Sequence, residues 1–118
     1  MKPGELITTD EAKDILSQGG YRRDDWPKIN AFTRKVPATA TEAVTLLARN
    51  DGRVNFQIHN AAASATLYVK LGERCSSDDW SFQIPADTLY EPITPCYTGV
   101  ITAILASGTG DVRATELA

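Results

Sequence analysis

A chain of 118 residues, 42% hydrophobic and 23% charged, has the composition of one soluble globular domain large enough to bury a core. Its formal net charge is −3 and it has no basic block, which speaks against an electrostatic grip on nucleic acid. Two cysteines, Cys75 and Cys96, are too few for a disulfide scaffold and lack CxxC spacing, so they are expected to be free thiols. No apolar run reaches the roughly 20 residues of a membrane span. The polar N-terminus lacks the apolar region of a secretion signal, so production in a cytoplasm is expected.

The first element expected is a short helix. Thr8 and Glu11 stand in capping-box spacing, and Asp10 and Glu11 suit the positive end of a helix dipole. Ala12, Ile15 and Leu16 make a narrow apolar stripe, and Gly19 and Gly20 supply a C-terminal stop. These signals predict a helix over Thr9–Gln18 that must dock to be stable.

Tyr21 to Pro37 follows, with charges, two prolines and isolated aromatics in no regular period. Trp26 precedes Pro27 and is held extended. The stretch reads as an extended arm with Tyr21, Trp26, Ile29 and Phe32 as protein-interaction anchors. They would pack either on the chain's own body or on a neighbouring subunit. With seven basic and six acidic residues, residues 1–37 form a salt-bridging surface rather than a nucleic-acid tail. The chain thus divides into a helix and arm, residues 1–37, and a β-domain, residues 38–118.

From residue 42 the period becomes two. "RVNFQIH" turns Val54, Phe56 and Ile58 to one side, and "TLYVKL" turns Leu67, Val69 and Leu71 to one side. "WSFQI" does the same with Trp80, Phe82 and Ile84; Ile104 is a further core candidate. "EAVTLLA", "TGVITAIL" and "DVRATEL" are further strands, and "TLYEP" reads as a short edge strand beside Pro92. Turn formers separate them, including "GERCSSDD" at residues 72–79. Six or seven short strands at this spacing predict a mainly β fold, an antiparallel β-sandwich of jelly-roll-like type or a barrel.

Catalytic patterns are missing from the sequence. His59 is the single histidine and sits on an outward strand position, so no His-rich metal site can form. There is no GxSxG, and GTG at residues 108–110 has no GK[ST] after it. Asp78 and Asp79 are adjacent and would diverge on a strand; two carboxylates fall short of a calcium shell. No enzyme, metal or cofactor is expected. The 72–79 loop reads as a hairpin turn leading into a buried Trp80, with a ligand loop as the alternative.

The cadence from Arg53 to Leu117 resembles small virion proteins of tailed bacteriophages. It is carried by Ile58-His59-Asn60, "LYVKLG" at residues 67–72, Ser81-Phe82, Tyr90 to Pro92, "YTGVITAI" at residues 97–104 and the closing Thr115-Glu116-Leu117. The charged 72–79 loop departs from the Gly, Ala and Ser-rich loop of that family, and residues 1–41 lie outside the likeness. The resemblance implies a β-sandwich component of the virion, assembled in the host cytoplasm. A capsid decoration or cement protein leads, bound to the major capsid protein and to copies of itself, a trimer foremost. A head-tail connector or tail-fibre adaptor is the second reading. A glycan-binding module using Trp80, Tyr90 and the 72–79 loop is the third. No nucleic acid or membrane partner is expected.

Overall fold

The computed structural model describes residues 29–92 and 96–118. The helix expected at Thr9–Gln18 and the anchors Tyr21 and Trp26 lie outside the described residues. Within them run eight strands: β1 (Ala31–Thr39), β2 (Val44–Leu47), β3 (Asn55–Asn60), β4 (Leu67–Leu71), β5 (Phe82–Ile84), β6 (Thr88–Tyr90), β7 (Ile101–Leu105) and β8 (Thr109–Leu117). They build two four-stranded antiparallel sheets, β1-β8-β3-β6 (sheet 1) and β2-β7-β4-β5 (sheet 2). The mainly β sandwich expected from the period of two is what forms, with eight strands rather than six or seven. Its pairings nest: β4 with β5, β3 with β6, β2 with β7 and β1 with β8.

The core is the alternation turned inward. Phe56 and Ile58 of β3, Leu67 and Val69 of β4, and Ile84 of β5 are buried as expected. Val36 and Ala38 of β1, Ile101, Ala103 and Leu105 of β7, and Val112 and Ala114 of β8 complete it. Leu46 and Leu47 are both buried because the register of β2 shifts between Thr45 and Leu47, a bulge that admits two consecutive apolar residues. Phe82 is only partly buried and stacks on Tyr90, ring centroids 4.0 Å apart. Gly110 lies so close to the β3–β4 connection that a Cβ there would stand 2.6 Å from the Cβ of Ala62.

Three expectations are corrected. The arm does not extend to Pro37: Ala31–Thr39 is β1, paired with β8 along its whole length, so the sandwich begins at Ala31. Its prolines and charges obscured it, but an edge strand tolerates a proline whose nitrogen faces away from the ladder. Val54, expected in the core, is 50% exposed. Arg53 turns inward in its place and donates to the carbonyls of Ala48 (2.7 Å), Tyr97 (3.0 Å) and Gly99 (3.0 Å), tying three backbone segments together. Trp80, also expected inside, is 37% exposed and belongs to the turn before β5.

Asn60, at the inward end of β3, is likewise buried. Its amide donates to the carbonyls of Ala65 (2.8 Å), Ile84 (3.0 Å) and Pro85 (3.2 Å), and its Oδ1 accepts from the Ala62 amide. A polar side chain without such partners would be costly at this depth.

Candidate functional site

Two surfaces stand apart from an ordinary solvated exterior. The first is the start of β1. Ala31–Lys35 is exposed at every position, whereas Val36 and Ala38 further along are buried. Phe32 stands in one row with Glu116 of β8 and Phe56 of β3, and so points toward the same face as the core. It is nonetheless 57% exposed, because sheet 2 does not cover this end of sheet 1. Ile29 is also exposed. Two of the four arm anchors, Ile29 and Phe32, are therefore uncovered apolar groups within the described residues, although Phe32 sits on a strand of the sandwich.

The second surface is the outer face of sheet 2, under the 72–79 loop. β4 and β5 pair as a hairpin, as the turn composition implied, but the loop between them folds back across the sheet. Gly72 (φ 152°) and Arg74 (φ 61°) supply the backbone turns this needs. The Thr102 hydroxyl donates to Gly72 O (2.7 Å) and accepts from the Cys75 amide (3.2 Å), while the Cys75 thiol donates to Tyr68 O (3.4 Å). Cys75 is thereby buried, and Thr102 and Ile104 are buried although both point away from the core. The tip closes as a tight turn, Ser76 and Asp79 exchanging backbone hydrogen bonds of 3.0 and 3.2 Å.

Trp80 follows this turn. Its indole N–H donates to Ser77 O (3.1 Å), and its ring stacks on Tyr68 with centroids 5.5 Å apart and planes inclined by 25°. Lys70 and Asp79 pair beside it. Between the folded loop and the Thr41–Thr45 segment opens a cleft of about 690 Å³, bordered by Glu42, Thr45, Arg74, Cys75, Thr102 and Ile104. The cleft has a mixed-charge rim, and the Trp80 ring stands outside its lining.

Burial pushes the Cys75 thiol up, outweighing the backbone hydrogen bond and the Lys70 charge that pull it down, which favours the protonated form. Cys75 and Cys96 are both free. His59 points outward, and its Nε2 lies 3.4 Å from Oδ1 of Asp87. Among the described residues, no three His, Cys, Asp or Glu side chains gather as metal ligands.

Sequence reasoning placed the 72–79 loop among the candidates but missed Tyr68, Lys70 and Thr102 as its partners. Their outward strand positions read as solvent-facing, and only the returning loop makes them part of a site. Comparison with protein-family models, curated proteins and solved structures gives no match.

Proposed function

We propose that this protein is a structural component of a tailed-bacteriophage virion, a decoration or cement subunit that binds the head surface through the major capsid protein and copies of itself. The observation that carries the reading is the start of β1. Five consecutive exposed residues, with Phe32 on a face that the second sheet leaves open, continue directly into the N-terminal segment. A rigid sandwich with an uncovered apolar end suits a subunit that clasps a neighbour. The nested strand pairing is that of a jelly roll, an arrangement used by viral capsid and lectin domains alike. Since a fold hosts many functions, the surfaces decide between them.

Mass spectrometry of purified virions from the phage that encodes the chain tests the proposal. Copy numbers in the hundreds support head decoration. A copy number matching the ring of a portal or tail moves the protein to the connector or adaptor role, and absence from virions overturns both.

A second reading has its own support. Trp80 is exposed and braced on Tyr68, the arrangement by which an aromatic ring meets the apolar face of a sugar. A glycan array read with the wild type and Trp80→Ala tests it: binding lost in the variant assigns the outer face of sheet 2 to carbohydrate. Silence from the wild type removes the reading.

A further inference from the structure

The outer edge of β1 turns backbone groups toward a further strand. Asn30 and Ala118 exchange backbone hydrogen bonds (Asn30 N to Ala118 O, 2.8 Å; Ala118 N to Asn30 O, 3.0 Å), and the Ala40 amide donates to Gly108 O at 3.0 Å. In an antiparallel ladder, bonded and non-bonded residues alternate. The even-numbered residues of β1 therefore face β8, and Ala31, Thr33, Lys35 and Pro37 turn their backbone groups outward. Among the described residues β1 is the outermost strand of sheet 1, so Ala31, Thr33 and Lys35 turn N–H and C=O groups to a flank that no described strand occupies, and Pro37 presents no N–H. Such an edge is a template for another strand.

We propose that the occupant of this edge is a second copy of the chain, joined antiparallel about a two-fold axis at Phe32 so that the two four-stranded sheets become one continuous sheet. The sequence around Phe32 is self-complementary. The described stretch Ile29–Lys35 pairs with itself in this register, and Pro37, which has no N–H to donate, falls just beyond it. Ala31 then meets Thr33 of the second copy, Asn30 meets its Arg34, and Ile29 meets its Lys35. No like charges oppose one another, and Phe32 meets Phe32 as a non-bonded cross-strand pair, where side chains come closest.

Neighbouring registers are worse for stated reasons. An axis at Arg34 or Lys35 sets like charges together. One at Thr33 draws Pro37 into the paired stretch opposite Ile29, whose carbonyl then has no donor. A two-fold contact of this kind is self-closing and uses one patch twice. It differs from the threefold assembly implied by the family resemblance, and it does not depend on the virion reading.

Sedimentation equilibrium of the full chain, with the variants Thr33→Pro and Phe32→Asp, tests the inference. Thr33→Pro removes an outward N–H without touching the bonds to β8, and Phe32→Asp sets two carboxylates on the axis. The expected result is a wild type of two-chain mass at micromolar concentration, with both variants at least tenfold weaker in association and unchanged in strand content. Hydrogen exchange on the wild type gives the residue-level reading: the amides of Ala31, Thr33 and Lys35 should be protected at high concentration and lose that protection on dilution. A monomeric wild type, an assembly that survives both variants, or edge protection independent of concentration (the edge covered by residues 1–28 of the same chain) each overturns it.

Discussion

The Nε of Arg53 lies 2.8 Å from Oε2 of Glu116, with the Arg53 side chain fully buried and that of Glu116 partly buried. The other carboxylate oxygen accepts from Asn50 Nδ2 at 3.0 Å. The guanidinium thus spends its donors on one carboxylate and three carbonyls, binding the turn before β3 and the stretch before β7 to β8. Removing it would leave Oε2 of Glu116 and those carbonyls without their donor. Arg53→Met should lower unfolding stability by about 3 to 5 kcal/mol, read from urea titration. A loss below about 1 kcal/mol would mean that water replaces the arginine without cost.

The same pair sets an acid dependence. Burial alone would push the Glu116 carboxyl up, but hydrogen bonds from Asn50 and Arg53 and the Arg53 charge outweigh it and hold it below the ordinary 4.5. Because the folded value is the lower one, the stabilisation is complete above the ordinary value and is lost as pH falls through the folded one. The stability gap between wild type and Glu116→Gln should therefore be widest near neutrality and close as the medium is acidified below 4.5. Parallel stability curves for the two proteins across that range would count against the assignment.

Gly110 is constrained by space rather than by backbone angle. A methyl group there would meet the Cβ of Ala62 at 2.6 Å and its Cα at 3.1 Å, and the latter is main chain that cannot swing aside. Gly110→Ala should cost about 1 to 3 kcal/mol by overpacking. The double variant Gly110→Ala with Ala62→Gly should recover part of that loss in thermal unfolding, and failure to recover would place the strain elsewhere.

The two thiols should differ in reactivity. Burial pushes both thiols up, but Cys75 lies buried beneath the folded loop whereas Cys96 is only partly buried. An aromatic disulfide reagent should modify Cys96 in the native protein and reach Cys75 only when the loop opens or the chain unfolds. Equal rates at neutral pH would show that the loop does not stay closed over sheet 2.

The inner faces of β3, β4 and β5 were legible because one buried face imposes a period of two, and Phe56, Ile58, Leu67, Val69 and Ile84 obey it. What was hidden had non-local causes. Arg53 reads as a solvated turn residue until three carbonyls from elsewhere in the chain surround it. Thr102 and Ile104 occupy outward positions and are buried by a loop that belongs to a different hairpin. Trp80 is in phase with Phe82 and Ile84, but β5 begins only at Phe82, and Tyr68 offers a ring on the other face. β1 reads as an arm in the sequence because Arg34, Lys35 and Pro37 break the pattern, which an edge strand permits.

The place of β8 between β1 and β3 bears on how the protein is made. During synthesis, β1 and β3 emerge before β8 and have no direct bond to each other; both wait for the last strand of the sandwich. Until then Phe56 and Ile58 lack their sheet neighbours, and the β1 edge that faces β8 in the finished protein is open as well as the outer one. The nascent chain thus carries two adhesive flanks on one strand until β8 emerges. Sheet 1 closes in a late step, of the slow kind set by pairing between distant segments.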